Sequence, residues 1–156
     1  MSMSHTKIWI HAVWATKKHE EFLIMPMREE IFFHIKENAK TKGVEINFIN
    51  GYTDHVHCLI QLSGEQSISK VMQVIKGESS RWINLNKLTT KRFEWANEYF
   101  AGSVSESAIG KVRDYIRNQE RHHTKRTFAE EYSQFLEKYG LKPMDSGVGD
   151  SLPTPD

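Results

Sequence analysis

A single cysteine, Cys58, in 156 residues excludes an internal disulfide. Charge of one sign is also missing. Lys and Arg total 21 against 20 Asp and Glu, for a net charge of +1. No broad polybasic surface follows from that balance, so any contact with nucleic acid has to rest on local clusters and shape. No apolar stretch is long enough to span a bilayer, and the opening "MSMSHTK" lacks the hydrophobic region of a signal peptide. The expectation is a soluble, cytoplasmic protein. No internal repeat is visible, which favours a single domain.

Strand and helix periodicities occupy most of the chain. "KIWIHAVWAT", Lys7 to Thr16, is rich in aromatic and β-branched residues and reads as a first strand. A helix follows, opening with Pro26 in its first turn and closing at Gly43, with Ile31, Phe32, Ile35 and Ala39 as its buried stripe. "VEINFING", Val44 to Gly51, is a second strand, and turn residues lead through a hairpin into "DHVHCLI", Asp54 to Ile60. A helix from about Ser67 carries Ile68, Val71, Met72, Ile75, Trp82 and Ile83 at helical spacing, and Asn97 to Ser105 forms a fourth strand. Strand, helix, strand, strand, helix, strand is the order of the α+β ferredoxin-like (RRM-like) βαββαβ sheet, with both helices on one face.

The third strand raises the functional question. Side chains alternate faces along a strand, so Val56, Cys58, Ile60 and Leu62 form an apolar side, and Cys58 reads as core packing. His55 and His57 then stand together on the opposite, open side of the sheet. Two imidazoles so close suit a divalent metal, with a third ligand required from elsewhere. Paired histidines also occur as ordinary polar surface.

The rest of the chain supplies a cover for that face. "SESAIGKVRDYIRNQERHH" reads as one continuous third helix, capped by Ser105 or Ser107, with Ile109, Val112 and Ile116 as its stripe. Tyr115 and Gln119, four residues apart, project together from the flank of that stripe. A fourth helix begins with a Thr127–Glu130 capping box and ends at Gly140. Beyond Leu141 periodicity is lost, so residues 1–141 form the expected domain and 142–156 an expected disordered tail.

"DHVHCLI", then "YFAGSVS", then "VRDYIRNQERHH" resembles the small single-tyrosine transposases of the HUH class, the IS200 type, from Lys7 to about Leu141. The resemblance implies a dimerising ferredoxin-like fold that cleaves and rejoins single-stranded DNA at hairpin-containing ends. It further implies a covalent 5′-phosphotyrosine, with active sites shared between chains as one arrangement. By resemblance, His55 and His57 are the metal pair, Gln119 the third ligand and Tyr115 the nucleophile, with Mg²⁺ or Mn²⁺ as cofactor. The family usually has a longer aliphatic residue where Cys58 stands.

Other residues admit two readings. Lys17, Lys18, Lys76, Arg81, Arg121 and Lys125 are candidates to track a DNA backbone or are solvated charges. Phe93 and Trp95 are the aromatics best placed to stack on a base, while Tyr52, Tyr99, Tyr132 and Tyr139 read as packing residues. His11 reads as a satisfied histidine, with approach to the metal as the alternative. Asp54 reads as a turn residue, with orientation of an imidazole as the alternative. Among competing functions, a domesticated hairpin-binding protein that no longer cuts gives no reason to keep all four site residues. A histidine-triad hydrolase needs a histidine where Leu59 stands. An RNA-binding sheet needs aromatics where His55 and His57 stand.

Overall fold

A computed structural model describes residues 4–123 and 125–141; the expected tail lies outside the described residues. The chain divides into two compact units, one ending at Gln119 and the other starting at Glu120.

In the first unit, strands β1 (Ile8–Ala15), β2 (Glu45–Gly51), β3 (His55–Leu62) and β4 (Phe100–Val104) form an antiparallel sheet in the order β2-β3-β1-β4. This is the ferredoxin-like arrangement. Helices α1 (Met27–Thr41) and α2 (Ile68–Leu85) supply the buried stripe expected from their periodicity. Ile31, Phe32, Ile35 and Ala39 of α1 and Val71, Met72, Ile75 and Ile83 of α2 join Val56, Cys58, Ile60 and Leu62 of β3 in one core. Each fully buried aliphatic side chain there contributes roughly 1.5–3 kcal/mol. Pro26 precedes α1 rather than standing inside its first turn.

Phe93 and Trp95 belong to this core, at 0% and 7% exposure, which corrects their expected role as base-stacking residues. They lie in an irregular segment that α2 holds down. The Asn84 side chain exchanges two hydrogen bonds with the Phe93 backbone, at 2.8 and 3.0 Å, and Trp95 Nε1 donates to Ser79 Oγ at 2.9 Å.

The opposite face of the sheet carries a smaller cluster of Trp9, Leu59, Ile109 and Ile116. The last two come from α3 (Ile109–Arg117), so this helix covers the histidine face. The expected continuous third helix is interrupted. A short 3-10 turn (Glu106–Ala108) precedes α3, Asn118 stands outside helical geometry, and α4 (Gln119–His123) starts afresh. Ser105 makes no side-chain cap to the 3-10 turn, and α3 begins behind Ala108 without a side-chain cap. The two serine hydroxyls instead lie 3.3 Å from each other.

In the second unit, α5 (Phe128–Lys138) begins with the expected capping box, and Gly140 follows it at φ 69°. Glu131 of α5 is buried, with His123 Nε2 at 3.2 Å and Arg126 Nη2 at 3.8 Å. Among the described residues, no helix is long and apolar enough to cross a membrane.

Candidate active site

The β2–β3 hairpin sets the site. Gly51 lies opposite Val56, where a Cβ would fall 2.2 Å from the His55 carbonyl oxygen, so the tight turn accepts only glycine there. Tyr52 N–H donates to that same carbonyl at 3.0 Å. The turn thereby fixes Asp54 directly before His55.

His55 and His57 are fully buried on one face of β3, with ring centroids 5.2 Å apart. Each uses its Nδ1 in a hydrogen bond. His55 Nδ1 meets Asp54 Oδ1 at 2.8 Å, and His57 Nδ1 meets His11 Nε2 at 2.9 Å. Burial alone would raise the Asp54 pKa. Hydrogen bonds from His19 and His55, together with their charge, outweigh that effect and hold the carboxyl well below the ordinary range. Asp54 is therefore an ionised acceptor for His55. The orienting role wins over the plain turn reading, although the residue does both.

Tyr115 and Gln119 reach the histidines from the two sides of the Asn118 break. Tyr115 on α3 places its ring 5.8 Å from that of His57 and 6.3 Å from that of His11. Gln119 is buried, and its Oε1 lies 2.9 Å from His55 Nε2. Its Nε2 donates to the Tyr115 carbonyl at 3.3 Å. The four residues thus converge as sequence spacing suggested, but by a helix break rather than by one shared helical face.

Three residues that sequence reasoning missed hold α3 in place. Asn50 Nδ2 donates to the carbonyls of Ile116 and Arg117 at 3.0 and 3.1 Å, satisfying the end of the helix. Arg113 donates to Asn47 Oδ1 at 2.7 and 3.2 Å. Alternation along β2 could have placed Asn50 beside the histidine face, since it pairs with His57. It puts Asn47, an odd number of residues away, on the other face, but the register irregularity between Ile46 and Phe48 breaks that count. Their partners, more than sixty residues away, carry no local signal.

The basic candidates are scattered. Lys17 Nζ pairs with Glu94 at 3.3 Å, and Lys18 occupies an exposed turn at φ 57°. Arg81 is exposed on α2. Lys76 has an internal use, donating to the carbonyls of Ala96, Asn97 and Glu98 at 2.7, 3.1 and 3.4 Å. Burial lowers its pKa, partly offset by Glu98. In the second unit, Arg121 and Lys125 are exposed.

Residues 4–119 match the family model described as "Transposase IS200 like". The chain belongs to this transposase family. The match spans every element of the sheet together with Tyr115 and Gln119. The family member from Deinococcus radiodurans, the ISDra2 transposase TnpA, is 25% identical over 114 residues, covering 70% of this chain and 81% of that protein. The transposase of insertion sequence IS200 from Salmonella typhimurium is 26% identical over 126 residues, covering 76% and 82%. Among solved structures, a protein from Deinococcus radiodurans assigned as a transposase superposes with a TM-score of 0.62 at 22% identity, over 76% of this chain and 95% of that one. A REP-associated tyrosine transposase bound to a REP hairpin superposes with a TM-score of 0.58 at 17% identity, over 99% and 100%. At those identities the two structures establish the shared fold.

Proposed function

We propose that this transposase cuts and rejoins single-stranded DNA at hairpin-bearing ends, with Tyr115 as the nucleophile and His55, His57 and Gln119 as ligands of Mg²⁺ or Mn²⁺. The observation that carries this reading is the convergence of a tyrosine ring, two imidazoles and an amide oxygen at one place. Tyr115 stands 5.8 Å from His57, ring to ring, and Gln119 Oε1 stands 2.9 Å from His55 Nε2.

The donor set fits a divalent ion. With Nδ1 of each histidine engaged by Asp54 or His11, Nε2 is the nitrogen that would hold the ion, and the amide oxygen of Gln119 lies 2.9 Å from that of His55. Nitrogen-rich ligation is soft for Mg²⁺, which favours Mn²⁺ in vitro. A bound ion would supply positive charge to polarise the scissile phosphate and to favour the phenolate of Tyr115, whose unperturbed pKa is about 10.

In the reaction, Tyr115 Oη attacks phosphorus in line. A bond forms between the phenolic oxygen and phosphorus, the bond to the 3′ oxygen breaks, and that oxygen leaves as a 3′ hydroxyl after taking up a proton. The phosphate stays on the 5′ end as a phosphotyrosine. Attack by another 3′ hydroxyl reverses these steps, so joining needs no ATP.

A hairpin substrate is supported by the REP-hairpin complex of a tyrosine transposase with the same fold. A homodimer is supported by β4, which among the described residues lies at one edge of the sheet, beside β1. The experiment is a nicking assay with Mn²⁺ on a labelled single strand containing a hairpin from the flanks of the gene. Metal-dependent cleavage with a protein-linked band on a denaturing gel is the expected result. Cleavage that persists in chelator, or that leaves no protein-linked product, contradicts the reading.

A further inference from the structure

We infer that His11 is a positioning residue that holds His57 in its Nδ1–H tautomer and so makes Nε2 of His57 the coordinating nitrogen; this rests on the metal reading above. His11 is buried on β1, opposite Leu59 of β3 and Gly102 of β4. His57 lies opposite Val13, so the two histidines are diagonal neighbours on one sheet face, close enough for long side chains to meet. They do meet, with Nε2 of His11 2.9 Å from Nδ1 of His57.

Two imidazoles joined nitrogen to nitrogen share one proton between those atoms. Its owner decides what His57 can do. If His57 owns it on Nδ1, its Nε2 carries a lone pair for the metal. If His11 owns it on Nε2, the neutral His57 is protonated at Nε2 and cannot coordinate there. The Asp54 carboxylate accepts from His55 Nδ1 in the corresponding place. One imidazole is thus oriented by a carboxylate and the other by a second imidazole. His11 is itself fixed in orientation: Phe100 of β4 meets it edge-on at 6.3 Å, and Tyr115 meets it edge-on at the same distance. A rotated His11 would lose the nitrogen contact with His57 and the ring contact with the nucleophile together.

The test reads the tautomer directly, without metal. Two-bond ¹⁵N–¹H correlation spectra of the metal-free protein, at a pH where His57 is neutral, report which nitrogen carries the proton. The expected result is a proton on Nδ1 of His57 in the parent protein. In His11→Leu it should move to Nε2, the commoner tautomer in water, and Mn²⁺ affinity by titration calorimetry should fall about 10- to 100-fold. His11→Gln keeps an acceptor oxygen near the position of Nε2, so it should restore the tautomer and most of the affinity. An unchanged tautomer and unchanged affinity in His11→Leu overturn the inference. A parent protein with the proton on Nε2 of His57 overturns it as well, and this decides the matter even if His11→Leu does not fold. A parent protein with the expected tautomer but no Mn²⁺ binding leaves His11 in its role and removes the metal reading instead.

Discussion

At the scale of single residues, the site depends on what each imidazole does with its second nitrogen. Asp54 engages His55 from the adjacent position, and its depressed pKa keeps it an acceptor through the physiological range. Replacement of Asp54 by alanine should therefore lower Mn²⁺ affinity by about 10- to 100-fold while the fold persists, as measured by calorimetry. An unchanged affinity would show that His55 needs no such support. Cys58 is the counterexample on the other face of the same strand. Burial pushes its thiol far above the ordinary range, so it stays protonated and unreactive at neutral pH. Native protein should resist a thiol reagent that labels the urea-unfolded chain promptly. Prompt native labelling would mean that the core opens readily. Alternation along "DHVHCLI" was enough to separate these two faces. Complete burial of His55 and His57 was not legible, because it arises from segments distant in sequence.

At the scale of elements, α3 carries Tyr115, the proposed nucleophile, and it is short. Nine residues give little intrinsic helix stability, so its position comes from Ile109 and Ile116 against the sheet and from its polar anchors to β2. Asn50 satisfies two carbonyls at the end of this helix, and Asn47 holds Arg113. Asn50→Ala should cost about 1 kcal/mol in urea unfolding, since the bonds are only partly buried. Amide exchange should quicken in α3 more than in α1 or α2. Uniform exchange across all three helices would contradict the anchoring role. The break at Asn118 could not be read from "IRNQER", where no Gly or Pro interrupts the pattern and asparagine is only mildly unfavourable within a helix. Tertiary hydrogen bonds decide the issue there: Asn50 from β2 takes the last α3 carbonyls, and Gln119 turns to His55. The Thr127–Glu130 capping box, by contrast, is a local signal and stands in α5 as the sequence suggested.

At the scale of the whole molecule, the near-neutral charge shapes which nucleic acid can be bound. With a net charge of +1, Lys76 committed internally, and Lys17 and Lys91 paired to acids, long-range attraction to a duplex is weak. A hairpin with a single-stranded flank should bind about tenfold or more tightly than linear duplex of equal length at physiological salt, by fluorescence anisotropy. Equal affinity would contradict this. Light scattering should give a dimer, through pairing at the β4 edge; a monomer at working concentrations would rule that pairing out. The central claim is that Tyr115 attacks the DNA, and the most direct measurement is the site of the covalent adduct. Trapped protein–DNA product, digested with nuclease and trypsin, should carry its residual nucleotide on the short peptide from Asp114 to Arg117, and Tyr115→Phe should bind hairpin DNA yet give no adduct. A nucleotide found on Tyr99 or Tyr132, or an adduct that survives Tyr115→Phe, would place the nucleophile elsewhere and contradict the assignment.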